Sequence, residues 1–347
     1  MKHWALATGV VLALTAATTA PALAESTGGA GAGGSAGVTG MGRSSTGDTG
    51  VAGSTEGAGV AGGAGGVAPT AASHGAAPVS GAVYFRHGGS GIEVLTHRGG
   101  WTSLTAGAGA SAGQFAVAPD GRKVAWIDDR NRLRVKTTGS GADRVIARNA
   151  AFGGPCLTPV WTADGRRIAY PVKGTGEAMT VAVVGADGRG RFDAGKTLGP
   201  CHLTWSADGR TLAGYAGDTD GVHLLDTRLR ISKRAPGIKL ANHVESLSPD
   251  SRRVVVNALG ANAQGGDGSW PLSFTPSIYD TKTGAKVAVP VRGRLLGARY
   301  LRDGRLAVRV RGTAANTIVV LSRSGKEVQR VTEPARAKNL GLLWVLG

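Results

Sequence analysis

The stretch that decides the fold is Trp161–Tyr170, WTADGRRIAY, which returns as WSADGRTLAG at Trp205–Gly214. Its centre, Asp-Gly-Arg before an apolar run, recurs as DGRKVAW from Asp120, as DGRLAV from Asp303 and, altered, as DSRRVVV from Asp250. Successive aspartates lie 44, 44, 42 and 53 residues apart. A period of about 40–45 residues with β-type segments is typical of a propeller, in which each repeat forms one four-stranded blade.

Each of these turns is predicted to connect the two innermost strands of a blade. A large apolar residue stands three positions before every aspartate, at Val117, Trp161, Trp205, Leu247 and Tyr300. Asp-Gly between two apolar runs is the strongest short signal for a β-hairpin. Each repeat therefore begins with an inner strand, the turn and a second strand, and two further strands follow.

The two ends of the repeat region complement each other. Ala82–Phe85 (AVYF) matches the second-strand segments, but no inner strand precedes it. Gly341–Val345 (GLLWV) supplies one, with Trp344 at the position of Trp161 and Trp205. The sequence thus predicts an all-β, six-bladed propeller of four-stranded antiparallel blades, in which the C-terminal strand completes the first blade. Such closure removes long unpaired sheet edges.

The N-terminus has the pattern of an export signal. Lys2 and His3 precede the apolar stretch Ala5–Ala17, and Ala22-Leu23-Ala24 forms a small-x-small cleavage site. Residues 1–24 are therefore predicted to be a secretory signal peptide. The alternative is an uncleaved anchor, although the stretch is shorter than the about 20 residues of a membrane span. We expect an exported protein, extracellular or associated with the cell envelope, with no transmembrane span in the mature chain.

Composition divides the rest of the chain in two. Residues 25–78 are mostly Gly, Ala, Ser, Thr and Val, with almost no aromatic side chain. Such a segment buries too little apolar surface to offset the entropy of ordering it, so we predict a flexible tether. Residues 79–347 are predicted to form the propeller, and we expect it to be monomeric.

The repeat resembles that of the TolB-type propellers, also called WD40-like or PD40 repeats. The shared pattern is W-(S/T)-(P/A)-D-G-(R/K)-x-(I/L/V)-A, and it covers about residues 80–347. The resemblance implies a propeller fold, but such repeats occur in protein-binding modules, peptidase accessory domains and lyases alike. TolB itself has an α/β domain ahead of its propeller, where this chain has the Gly/Ala tether.

The two cysteines lie one repeat apart. Cys156 (GPCLTPVW) and Cys201 (GPCHLTW) lead into the inner strands of neighbouring blades. In an exported protein, this spacing predicts a disulfide between the third and fourth blades. The alternatives are two buried free thiols or half of a metal site, although two cysteines and His202 lack metal-finger spacing.

The mouth of the ring near these cysteines is predicted to hold the functional residues. Candidates there are Cys156, Cys201, His202, Asn242, His243, Glu245 and, on the loop Leu259–Ser273, Trp270. Trp270 is either a contact for a partner or sugar or a cover for its own blade. Glu245 replaces an apolar or proline residue of the other repeats. With His202 and His243 it forms either an acid/base or metal site or a satisfied structural pair.

Charge suggests the kind of partner. The chain carries a formal charge of +17, with 38 basic and 20 acidic residues from Val79 onward. A field of one sign attracts polyanions and anionic surfaces, although it also serves plain solubility. Arginines are dense at Arg292, Arg294, Arg299, Arg302, Arg305, Arg309 and Arg311, with Arg252 and Arg253 on the preceding repeat. They form either an anion-binding patch or ordinary solvated surface. Stacking aromatics typical of nucleic-acid platforms are absent, so no nucleic acid is expected.

Two classes of function remain. The first is a non-catalytic binding module whose partner is an envelope protein or an anionic cell-surface polymer. It is favoured because the chain has no G-x-S-x-G and no H-E-x-x-H motif, and no cofactor or metal is expected. The alternative is a propeller enzyme of lyase or cyclase type, with His202, His243 and Glu245 as catalytic residues beside Trp270.

Overall fold

The computed structural model describes residues 76–89, 91–107, 113–216, 221–260, 263 and 268–347. The predicted signal peptide and all but the last three residues of the predicted tether lie outside these ranges. Within them, 24 strands form six four-stranded antiparallel sheets, which are the blades of a ring. The predicted six-bladed propeller is therefore confirmed. No helix in the described ranges is long and apolar enough to span a membrane.

The first three strands along the chain belong to blade 1, and blades 2 to 6 each take four consecutive strands. Blade 1 contains β1 (Gly81–Gly88), β2 (Gly91–His97) and β3 (Trp101–Ala106). Blade 2 contains β4 (Phe115–Val117), β5 (Lys123–Ile127), β6 (Arg132–Thr137) and β7 (Asp143–Arg148). Blade 3 contains β8 (Val160–Trp161), β9 (Arg167–Pro171), β10 (Met179–Gly185) and β11 (Phe192–Thr197).

The remaining blades follow the same order, from the innermost strand outward. Blade 4 contains β12 (Cys201–Trp205), β13 (Thr211–Tyr215), β14 (Val222–Asp226) and β15 (Ile231–Arg234). Blade 5 contains β16 (Ala241–Leu247), β17 (Arg253–Ala258), β18 (Ser277–Asp280) and β19 (Lys286–Val287). Blade 6 contains β20 (Leu295–Tyr300), β21 (Leu306–Val310), β22 (Thr317–Leu321) and β23 (Glu327–Thr332). A short 3-10 helix, Ala335–Ala337, leads to the last strand, β24 (Gly341–Leu346).

The last strand closes the ring as predicted. β24 pairs antiparallel with β1, from Gly81 opposite Leu346 to Phe85 opposite Gly341, and so becomes the inner strand of blade 1. Trp344 of β24 donates its indole N–H to the carbonyl of Val117 in blade 2, at 2.8 Å. The ring is thereby fastened by strand pairing within blade 1 and by a side-chain hydrogen bond to blade 2.

The hydrogen bonds and backbone angles of the hairpin turn explain why Asp-Gly-Arg recurs in the repeat. In blades 3, 4 and 5, a hydroxyl donates to the turn aspartate at 2.6 Å, in the pairs Thr162–Asp164, Ser206–Asp208 and Ser248–Asp250. The same carboxylates accept the backbone N–H two residues on, at 3.0–3.1 Å. The residue after the aspartate has positive φ, +66° at Gly165 and +67° at Gly209, a conformation that favours glycine.

The hydrophobic core is divided among the interfaces between neighbouring blades. Each of the six interfaces has its own cluster of buried apolar residues within the described ranges. The cluster between blades 6 and 1, for example, joins Ala307 and Val320 to Tyr84. Because neighbouring blades cover both sides of each sheet, the second strands, such as β5 (KVAWI) and β9 (RIAYP), are near-continuous apolar runs.

The predicted disulfide is confirmed. Cys156, which precedes β8, is bonded to Cys201, the first residue of β12, with a Cα–Cα distance of 4.7 Å. Both residues are buried. The bond links blades 3 and 4 beside the axis of the ring.

Candidate functional site

The ring has two mouths, which we name by the connections that surround them. The turn face carries the hairpin turns between the first and second strands of the blades. The loop face, on the other side, carries the connections that lead into the inner strands, including Cys156 and Cys201, and the connections between second and third strands, including the loop 259–273. The sequence predicted the functional site on the loop face.

The mouth on the loop face is filled by Trp270. Only 9% of this residue is exposed. Its indole stacks on the ring of His202, with 5.1 Å between the ring centres. The ring centres of His243 and Phe115 lie 5.0 Å and 6.4 Å from that of the indole, His243 edge-on and Phe115 tilted. These partners belong to blades 4, 5 and 2, so Trp270 spans the ring and does not simply cover its own blade. Residues 261–262 and 264–267 of its loop lie outside the described ranges.

Beneath Trp270 a chain of buried polar side chains continues toward the opposite mouth. Nδ1 of His202 lies 2.7 Å from Nδ1 of His243, and Nε2 of His243 lies 2.7 Å from Oε2 of Glu245. Nη2 of Arg299 lies 2.5 Å from the other carboxylate oxygen of Glu245. All four residues are buried. The structure thus brings together three residues that the sequence singled out and adds Arg299 as their counter-charge.

The opposite charges of Glu245 and Arg299 balance each other within this row of buried side chains. Burial raises the pKa of Glu245, but the Arg299 guanidinium and the hydrogen bond with His243 outweigh it, so the net pKa is lowered. Burial lowers the pKa of the His202 imidazole well below its usual range, the neighbouring His243 adds to this effect, and a backbone hydrogen bond with Gly268 opposes it. Glu245 is therefore an ionised carboxylate, buried and held by Arg299. Among the described residues, no three or more His, Cys, Asp and Glu side chains are grouped to hold a metal ion.

Asn242 lies outside this chain. Its side-chain carbonyl accepts a hydrogen bond at 2.8 Å from the amide of Asn257 on the neighbouring strand β17. Both side chains are half-buried at the end of blade 5. Asn242 therefore supports its own sheet and makes no contact with His202 or Trp270 among the interactions of the described residues.

The mouth on the turn face is open. It encloses a cavity of about 590 Å³ whose wall includes Trp205, Tyr300 and Trp344 and whose rim includes Lys123 and Arg302. Arg299 also lines this cavity, and it lines a small space of about 20 Å³ under Pro271 and Phe274 on the side of the loop face. Arg299 is therefore the floor of the open mouth, with its guanidinium carbon 4.2 Å from the centre of the Trp344 ring.

The dense arginines of the sequence do not form one patch. Arg299 and Arg309 are buried in ion pairs with Glu245 and Glu333. Arg292 and Arg294 are exposed on the loop face, beside Arg311. Arg302 is exposed at the rim of the open mouth, where Arg305 pairs with Asp303. The turns of the repeat alternate with buried strands, so the chain carries these arginines to opposite faces.

The open mouth is the feature that sequence reasoning missed. The repeat did contain a sign of this cavity. The residues before the turn aspartates are small, and two of them, Ala163 and Ala207, line the cavity and leave it wide. No motif, however, told the two mouths apart, and it is the packing of Trp270 that closes one of them.

No protein-family model matches the sequence, and a search of curated proteins finds no relative. Solved structures with a similar fold include TolB from Acinetobacter baumannii, at 13% identity over 73% of this chain and 64% of that one, with a TM-score of 0.45. They also include Kuenenia stuttgartiensis hydrazine synthase, at 14% identity over 79% of this chain and 98% of that one, with a TM-score of 0.44.

A third is the β-propeller domain of the Trilobed protease from Pyrococcus furiosus, at 12% identity over 73% of this chain and 81% of that one, with a TM-score of 0.41. This chain thus spans less than two thirds of the length of the first of these proteins. TolB, to whose repeat the sequence is similar, is among the structural neighbours. The class of this protein is defined by its own topology, a six-bladed β-propeller closed by its C-terminal strand.

Proposed function

We propose that the protein is a non-catalytic binding module of the cell envelope, and that it binds an acidic segment of a partner protein in the open mouth on the turn face. The observation that carries the proposal is the cavity of about 590 Å³ with an aromatic wall and a lining in which six cationic side chains outnumber three aspartates. Concave sites of this size with a few convergent polar groups are typical of ligand binding.

The lining chemistry favours an acidic peptide segment. Trp205, Tyr300 and Trp344 offer aromatic surface, and aromatic residues anchor most well-packed recognition sites. Lys123, Arg302 and Arg299 offer cations at the rim and the floor. Arg299 is already paired with Glu245, so its charge is compensated and the attraction for a carboxylate comes mainly from the rim.

A binding role in an oxidising compartment agrees with the other features. The disulfide Cys156–Cys201 supports export, because such bonds persist outside the reducing cytosol. The histidines and glutamate that would serve an enzyme are buried beneath Trp270 and engaged with one another. This arrangement favours a structural role for them over catalysis.

The test is capture of partners from an envelope extract of the producing organism, with the full chain as bait. Ala207→Trp fills the open mouth without a change of charge, because Ala207 is half-buried and lines the cavity. Ala142→Trp is the matched control, since Ala142 is exposed on an outer turn of blade 2. Both variants are first shown to have wild-type thermal unfolding.

The proposal expects one protein to be held by the wild type and by Ala142→Trp and to be lost with Ala207→Trp. Arg302→Glu should weaken the same complex about tenfold and make its salt dependence shallower, whereas Arg292→Glu on the loop face leaves it unchanged. Retention of the partner by Ala207→Trp would place binding elsewhere and reject the open mouth as the site.

A further inference from the structure

The Asp-Gly-Arg repeat arranges arginines around the turn face. The residue two positions after the turn aspartate is arginine in every copy, and we call this set the arginine ring: Arg122, Arg166, Arg210, Arg252 and Arg305. The first four are exposed, and Arg305 is half-buried. Blades 2 to 6 thus each place one cation at the same position of the hairpin, around the open mouth.

A second tier of cations lies on the same face. The turns between the third and fourth strands are bonded to the arginine ring, because backbone N–H groups of Thr138, Ala186, Thr227 and Thr281 donate to the carbonyls of Arg122, Arg166, Arg210 and Arg252 at 2.8–2.9 Å. These outer turns and the corresponding turn of blades 1 and 6 carry Arg98, Arg189, Arg228, Arg230, Lys282, Arg323 and Lys326. The positive charge therefore extends from the mouth toward the outer edge of the ring.

The aspartates of these turns offset only part of that charge. Three ring arginines pair with them, Arg210 with Asp208 at 3.6 Å, Arg252 with Asp280 at 3.3 Å and Arg305 with Asp303 at 2.8 Å. The ring and the second tier together hold twelve cations, whereas the same turns hold eight aspartates. The turn face therefore keeps a net positive charge.

An exposed apolar side chain stands among these cations. Leu229 is 69% exposed, lies between Arg228 and Arg230, and belongs to the outer turn that is bonded to Arg210. Its exposure is the highest among the large apolar residues of the described ranges. An apolar tip flanked by arginines is the pattern of a segment that enters the interfacial layer of a bilayer.

The first described residues of the chain also lie on this face. Arg305 donates to the carbonyl of Ala77 at 2.7 Å, and Ala77 and Val79 line the open mouth.

We propose that the turn face docks on a lipid bilayer that carries anionic headgroups. The arginine ring and the second tier lie in the headgroup layer, and Leu229 enters the boundary with the acyl chains. A bilayer is favoured over a soluble polymer because the cations are spread around the face with an apolar anchor among them, which fits a flat surface of mobile charges better than a single strand. This docking is independent of the interior of the mouth.

The test is flotation of the full chain with vesicles of a zwitterionic choline lipid, alone or mixed with an anionic glycerol-headgroup lipid. The ring variant carries Arg122→Glu, Arg166→Glu, Arg210→Glu and Arg252→Glu. The matched control carries Arg130→Glu, Arg292→Glu, Arg294→Glu and Arg311→Glu, which are exposed positions on the loop face and give the same change in net charge. Leu229→Ser is compared with Leu198→Ser, an exposed leucine at 37% on the loop face.

The proposal expects binding to anionic vesicles only, weakened at least about 100-fold in the ring variant and much less in the control. Leu229→Ser should weaken it about threefold to tenfold, and Leu198→Ser should leave it unchanged. Equal losses in the two charge variants would mean that net charge alone acts, and would overturn the docking face.

Binding to soluble polyphosphate that is as strong as binding to vesicles, and insensitive to Leu229→Ser, would assign the face to a polymer and overturn the bilayer. Ala207→Trp separates the two proposals, because it blocks the mouth and leaves vesicle binding intact. Near-ultraviolet circular dichroism of each variant establishes that a loss of binding is not a loss of folding.

Discussion

Arg309 of β21 and Glu333, just before the 3-10 helix, form an ion pair inside the protein, with Nε 2.9 Å from Oε2 and side-chain exposures of 2% and 0%. The same guanidinium donates to the carbonyls of Leu340 at 2.7 Å and Ala337 at 2.8 Å. A single side chain of blade 6 thus holds the segment that leads into the closing strand β24. The ring is fastened by this contact as well as by strand pairing.

Arg309→Ala should destabilise the protein strongly. It leaves the buried Glu333 carboxylate without its counter-charge and frees the carbonyls of Ala337 and Leu340. Removal of one partner of a buried ion pair costs about 3–5 kcal/mol. The free energy of unfolding from urea titration measures the effect.

An exposed ion pair provides the control for Arg309. Arg330 pairs with Glu327 at 2.7 Å, with side-chain exposures of 55% and 44%, and exposed pairs of this kind contribute little to stability. Arg330→Ala should therefore leave stability nearly unchanged. If Arg309→Ala costs no more than Arg330→Ala, the role assigned to Arg309 is wrong.

Removal of the closing strand should unfold the whole ring. Deletion of residues 341–347 takes away β24 and exposes the edge of β1 together with the buried side chains of Val83 and Phe85. Deletion of Gly347 alone, which is exposed, should have little effect. Loss of the cooperative thermal transition in the longer deletion, and its retention in the shorter one, is the expected calorimetric result.

The fold could be predicted from the sequence because its repeat carries three independent signals. The Asp-Gly turns marked the hairpins, the period gave the blade, and Trp344 matched Trp161 and Trp205 although it lies at the other end of the chain. In the structure, Trp161 of blade 3 and Trp344 of blade 1 each donate the indole N–H to a carbonyl of β4 in blade 2, which lies between their blades. A local pattern that is repeated in this way allows the topology to be predicted before any long-range contact is known.

The site was less accessible to sequence reasoning, because it depends on how side chains from different blades meet. Glu245 stood out as a carboxylate among apolar equivalents, and its place beside His202 and His243 was predicted. Its counter-ion Arg299 was counted instead as part of a surface cluster. In β20, residues 298 and 299 are both buried, so alternation along the strand gave no warning that this arginine points inward.

Loss of the disulfide should destabilise the ring without opening it. The bond spans 45 residues and joins blades 3 and 4, and removal of such a bond typically costs about 2–5 kcal/mol. The double variant Cys156→Ala, Cys201→Ala should therefore unfold at lower urea while it keeps the native circular dichroism. In the wild type both residues are buried, so reduction by dithiothreitol should proceed at the rate of unfolding. Fast reduction of the folded protein would contradict this placement.

The stability of the ring should fall as the pH is lowered from about 7 to 5, through His202. Burial holds the pKa of His202 well below its usual range in the folded state, whereas the unfolded chain takes up the proton near pH 6.5. The unfolded state therefore binds more protons in this interval, and the free energy of unfolding falls by up to about 1.4 kcal/mol per pH unit from this group.

His202→Asn is the variant that tests this pH dependence. Asparagine tolerates the positive φ of +44° at position 202, and it cannot titrate, so the slope between pH 7 and 5 should become shallower. His97→Asn, at a half-buried histidine beside Trp101, should keep the wild-type slope. Urea unfolding at a series of pH values above the range of the carboxylates measures both. Identical slopes in the wild type and His202→Asn would mean that His202 carries a proton in the folded state, and that the buried chain to Arg299 has a different charge from the one described.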